Sequence, residues 1–115
     1  MDANKYQEEA MKFAKYAKHE YPFLALGEEA GEVLGKLAKN VRKKGYTVNM
    51  AIYLAKGYDE ELHADLTKEL GDVLWQVQAC CFELGLDLGD VMQANLDKLG
   101  GREERGTIVG SGDCR

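Results

Sequence analysis

The sequence predicts an all-helical protein, and three observations carry that prediction. Apolar residues recur at helical spacing in two long stretches: Leu26, Ala30, Val33, Leu37 and Val41 in one, Leu62, Leu66, Leu70, Val73, Val77 and Leu84 in the other. The 115 residues include one proline and thirteen glycines and few β-branched runs, which suits helices joined by short connections. Helix punctuation bounds both stretches, with Pro22 ahead of the first and Gly45 and Gly85 behind them. At this length residues 1–115 make a single domain, with a modest buried fraction unless copies associate.

A first helix is expected from a cap at Asp2 or Asn4 to about Lys18, with Tyr6, Ala10, Phe13, Ala14 and Ala17 on its apolar side. Such a helix can cover a pocket, which makes Tyr6 and Gln7 candidate ligand contacts, while His19 at its end complements the helix dipole. Pro22 opens a second helix from about Phe23 to Lys44, and Gly45 closes it. Residues Tyr46 to Tyr58 read as an inserted connection with room for a short helix. A third helix runs from Asp59 to Glu83, with Asp59, Glu60 and Glu61 at its positive end and His63 exposed. Trp75 falls about 180° from Leu66 on the wheel. With Phe82 it forms a second apolar side that calls for another helix or another subunit.

Cys80 and Cys81 border the main stripe and read as core filler; with Cys114 they make an odd number without metal spacing, which suits a reducing compartment. Asp87, with Asp90 three on, starts a fourth helix that turns Val91, Met92, Leu96 and Leu99 inward. Its other side carries a polar row, Asn95, Lys98 and Arg102. Residues 100–115 form a glycine-studded flexible tail in which Arg105 adds a cation, an arrangement suited to a phosphate-binding flap.

Several function classes find no support. The net charge is −5, against a nucleic-acid partner. No apolar run reaches the ~18 residues a membrane span needs, and Met1-Asp2-Ala3-Asn4-Lys5 lacks a signal-peptide core, so a cytoplasmic location is expected. Neither a P-loop nor a GxGxxG is present.

Chemistry concentrates in one phrase that occurs twice, Glu29-Ala30-Gly31-Glu32-Val33-Leu34 and Glu69-Leu70-Gly71-Asp72-Val73-Leu74. Glu29 and Glu32 lie about 60° and 120° to one side of their apolar stripe, and Glu69 and Asp72 occupy the same angles beside theirs. Gly31 and Gly71 each cost roughly 1 kcal/mol in mid-helix and suggest close backbone approach. If the helices pack there, four carboxylates converge and need a counter-charge. Acids three apart are often plain solvated surface beside lysines such as Lys36 and Lys68, but the matched repeat weighs against that reading here. Oxygen-only ligands suit Mg²⁺, with Mn²⁺ as substitute, and argue against zinc. Lys36, four after Glu32 on the same flank, is placed to neutralise the acids or meet a substrate phosphate, whereas the other cations at the end of this helix read as solvated.

With Glu28-Glu29-Ala30-Gly31-Glu32 followed by Glu69-Leu70-Gly71-Asp72, the chain resembles the MazG-type nucleoside triphosphate pyrophosphohydrolases, whose signature is EExxE followed by ExxD. The resemblance implies a compact helical bundle, here of four to five helices, assembled as a homodimer or homotetramer. It implies Mg²⁺-dependent cleavage of a nucleoside triphosphate substrate to monophosphate and pyrophosphate. Glu29, Glu32, Glu69 and Asp72 would be the metal ligands, and Glu28 an auxiliary catalytic acid. Asn95, Lys98 and Arg102 would face triphosphate or sugar, with Lys36 and Arg105 assisting. The connection 46–58 is longer than the family pattern. Two alternatives stay open: a relative acting on phosphoribosyl-ATP or an alarmone, and a non-catalytic helical interaction module.

Overall fold

A computed structural model describes residues 1–104. The described residues form five α-helices and no strand: α1 (Ala3–Met11), α2 (Tyr21–Lys44), α3 (Val48–Gly57), α4 (Glu60–Glu83) and α5 (Leu88–Glu104). The all-α class is as expected, and the inserted connection is a full helix. Two compact units emerge, one of Ala14–Cys80 and one of Met1–Phe13 with the residues from Cys81 onward.

Within Ala14–Cys80, Pro22 sits in the first turn of α2 and Gly45 ends the helix at φ 70°, a left-handed conformation that glycine adopts without a Cβ penalty. Thr47 then caps α3, its Oγ1 accepting from the Met50 N–H at 3.1 Å. Tyr58 and Asp59 both donate to the Leu54 carbonyl at 2.7 Å, which turns the chain into α4. The Asp59 carboxylate accepts from the Leu62 N–H at 3.0 Å, capping α4 as its position suggests. Leu37 of α2, Ala51 and Ala55 of α3, and Leu62 of α4 form one buried cluster, with Leu66 packed against it. The alanines let α3 come close to its neighbours.

The first helix is shorter than its sequence pattern. It stops at Met11, and the amides of Lys12 and Phe13 bond only three residues back, to Glu9 (3.3 Å) and Ala10 (3.1 Å). Tertiary contacts override the periodicity: Tyr16 leaves the helical path to stack on Tyr21 (centroids 5.6 Å apart) and to meet Trp75 edge-on at 6.3 Å. Phe13, expected on the apolar side, is 75% exposed. His19 lies in the turn before α2 instead of at a helix end. Trp75 therefore finds a partner within its own chain, while Phe82 remains exposed.

In the other unit α1 holds the start of α5. Asp2 caps α1 through the Lys5 N–H at 2.8 Å, which leaves Asn4 free of that task. Asn4 Oδ1 accepts from the Gly89 N–H at 2.9 Å, and Gln7 spans the α4–α5 turn, donating to the Leu86 carbonyl (3.2 Å) and accepting from the Leu88 N–H (3.1 Å). These two side chains satisfy amides that a helix start leaves unpaired. A Cβ at Gly89 would stand 3.0 Å from Asn4 Oδ1, so glycine permits this approach. Cys81, like Cys80 at the end of the first unit, is buried and outside any disulfide among the described residues, as core filler should be, and burial pushes the Cys81 thiol up from its ordinary value.

Two expectations for α5 are corrected. Met92 and Leu96 are exposed instead of inward, and the tail assigned from residue 100 begins as helix, since α5 continues through Gly100 and Gly101 to Glu104. Gly31 and Gly71 are corrected as well: nothing lies within 4 Å of a Cβ built at either, so no close backbone approach within the described chain explains them. Leu70 and Leu84, placed on the apolar stripe of α4, are also exposed.

Candidate metal and active site

Two helices bring the acids together. One carboxylate oxygen each from Glu29 and Glu32 of α2 and Glu69 of α4 lie within 4.8 Å of one another. Long side chains bridge the helices, so convergence does not need the glycine contact. Glu29 and Glu69 are half-buried, and the Oε2 atom of each is sealed from solvent without a hydrogen-bond partner. Unpartnered buried carboxylate oxygens are costly, and a cation is the counterpart their chemistry asks for.

The electrostatics agree. Burial raises the Glu29 carboxyl above its ordinary value, and the charges of Asp72, Glu69 and Glu28 raise it further. Glu69 is raised chiefly by a hydrogen bond shared with Glu32, then by burial and the Glu32 charge, while Lys36 opposes the shift. Lys36 Nζ stands 4.0 Å from Glu69 Oε1, so the lysine expected to serve Glu32 along its own helix reaches across to α4. One cation does not balance the group. The donor set is all oxygen, which fits a hard divalent ion such as Mg²⁺.

Other expected site residues fall differently. Asp72 is exposed and does not join the three-acid group, although its charge is felt by Glu29 and Glu69. Glu28 is exposed on α2. On α5, Asn95 and Lys98 are exposed, but Arg102 is only 8% exposed, so the polar row does not continue to it. Arg105 and the glycine-studded segment lie outside the described residues. Gln7 is buried and committed to the α4–α5 turn, which removes it as a base contact.

One feature was not legible as a site. The basic end of α2, read as solvated surface, lines with the start of α4 a cleft of about 120 Å³. Lys36 belongs to its wall and also stands 4.0 Å from Glu69, which places the cleft beside the acidic centre. A faint signal existed in the sequence, since Lys36, Lys39 and Lys43 recur at i, i+3 and i+7.

Comparison with known proteins bears on what this centre does. Residues 17–107 match the MazG nucleotide pyrophosphohydrolase domain. The chain belongs to that family. The MazG match spans α2 to α5 and both acidic phrases, and begins beyond α1. Gene 37 protein of Mycobacterium phage L5 is 39% identical over 95 residues, covering 83% of this chain and 75% of that protein. No solved structure matches. Among the described residues, no helix of this MazG protein is long and apolar enough to cross a membrane.

Proposed function

We propose that this MazG-family chain is a Mg²⁺-dependent nucleoside triphosphate pyrophosphohydrolase that converts a (d)NTP to the (d)NMP and pyrophosphate. The observation that carries the proposal is the trio Glu29, Glu32 and Glu69, with two sealed, unpartnered carboxylate oxygens, inside the family's matched region. These three would hold the ion, with Asp72 one turn along α4 from Glu69 as a fourth ligand once ionised groups gather round the charge. Mg²⁺, or Mn²⁺ in its place, supplies charge neutralisation at phosphate oxygens and activates the attacking water.

In the net step, water oxygen bonds to the α-phosphorus, the α–β anhydride bond breaks, and the bridging oxygen departs with pyrophosphate. Glu28, exposed beside Glu29, is positioned to take the proton that water gives up. Lys36 faces the same centre and would bind a phosphate oxygen in exchange for Glu69.

Self-association as a dimer or tetramer belongs to the same proposal. Leu34 (62% exposed) and Leu70 (56%), together with Leu24 and Leu74, put apolar surface on both helices that carry the acids.

The test is release of pyrophosphate, resolved from orthophosphate, from a panel of NTPs and dNTPs with Mg²⁺ or with EDTA. Metal-dependent pyrophosphate with a monophosphate product is expected, abolished in Glu32→Gln and Glu69→Gln at unchanged helicity. Turnover retained in both variants would sink the site, and turnover in EDTA would sink the metal.

A further inference from the structure

We infer that the cleft at the basic end of α2 is a pyrophosphate subsite, holding the leaving group through Lys39 and Lys43. The inference rests on the reaction proposed above and adds residues that this reaction alone does not name.

Position is the first argument. Lys36, Lys39 and Lys43 share one flank of α2 with Glu29 and Glu32. By helical rise Lys39 lies roughly 10 Å from Glu32 along the axis, and helical side chains lean toward the N-terminus, back toward the acids. A phosphate chain anchored at the acidic centre thus extends first to Lys36 and then into the cleft.

Unused bonding capacity is the second. Among the described residues, the cleft's Lys44 is committed to Asp59 at 3.3 Å, and Asp59 also accepts from Asn40 Nδ2 at 3.4 Å and from the Leu62 N–H. Among the described residues, Lys39 and Lys43 line the same space with no carboxylate within 4 Å. Complementing the negative end of the α2 dipole accounts for cations here, but it does not account for a walled cleft that shares Lys36 with the acidic centre.

The lining selects the ligand. Glu61 and Asp65 on the facing wall offset part of the lysine charge, so the cleft suits an anion that also donates. Pyrophosphate near neutral pH is such an anion: its oxygens accept from ammonium groups, and its P–OH donates. The volume of about 120 Å³ holds several water-sized groups and is too small for a nucleoside.

Calorimetric titration of inorganic pyrophosphate into the full chain, in EDTA and near neutral pH, reads this subsite without turnover. Lys39→Gln and Lys43→Gln should each weaken binding about fivefold and the pair about twentyfold. In the turnover assay the double variant should show product inhibition weakened to the same degree. If the double variant binds and is inhibited like wild type while wild type hydrolyses nucleotide, the subsite is wrong and the proposed function stands. If wild type hydrolyses no nucleotide at all, both fall.

Discussion

Replacing Gln7 by leucine separates a structural from a substrate-binding role for α1. The change keeps the apolar stem and removes an amide that donates to the Leu86 carbonyl and accepts from the Leu88 N–H, at 3.2 and 3.1 Å. Leu88 is buried, and leucine offers its N–H no acceptor. One lost hydrogen bond costs about 1 kcal/mol and a newly orphaned buried amide about 1–3 kcal/mol, so the variant should lose about 2–4 kcal/mol. At about 4 °C per kcal/mol for a chain of this size, Tm should fall by about 8–16 °C. The assay is thermal unfolding by circular dichroism, paired with KM for the preferred nucleotide below the variant's transition. A Tm within about 2 °C of wild type together with a raised KM would refute the structural assignment and return Gln7 to the base pocket.

Four further outcomes follow from the same structure. Because Glu29 and Glu69 are held above their ordinary values, the metal-free fold binds more protons there than the unfolded chain. Its Tm should therefore rise as pH falls toward the ordinary carboxylate range, a gain lost as pH climbs through the raised values. Mg²⁺ should stabilise by about 2.7 kcal/mol at a hundred times its Kd, release protons on binding and bind more weakly at low pH, all readable by melting and titration. Ala51→Leu, at a fully buried position in the α2–α3–α4 cluster, should cost about 1–3 kcal/mol by overpacking in denaturant unfolding. Leu70→Glu should reduce the solution mass of an assembled protein, measured by light scattering, without changing helicity.

What the sequence made legible was whatever depends on neighbours along one helix. Gly45 and Gly85 adopt left-handed φ values of 70° and 72° where the periodic stretches end, and Pro22 and Asp59 begin helices because their chemistry suits a first turn. Glu29, Glu32 and Glu69 converge because their angles beside two apolar stripes are matched. Partners distant in sequence were hidden. Tyr16 abandons a plausible helix for Trp75 and Tyr21, Gln7 is consumed by a turn 79 residues away, and Arg102 is buried from a row that looks polar. A helical wheel gives the direction of a side chain but not what stands opposite it. For the same reason it could not distinguish glycines that admit a neighbour, as Gly89 does, from Gly31 and Gly71, which face open space.

The alanines of α3 set a further condition on the chemistry. Leu37 and Leu62 sit on the two helices that supply the carboxylates, and Ala51 and Ala55 belong to the same buried cluster. The two helices that carry the acids therefore share one small core with α3. Mg²⁺ tolerates oxygen ligands only at about 2.0–2.1 Å, whereas Ca²⁺ accepts about 2.3–2.6 Å. If the proposed ion is held there, a larger side chain in α3 would shift the spacing of the acids and with it the choice between these two ions.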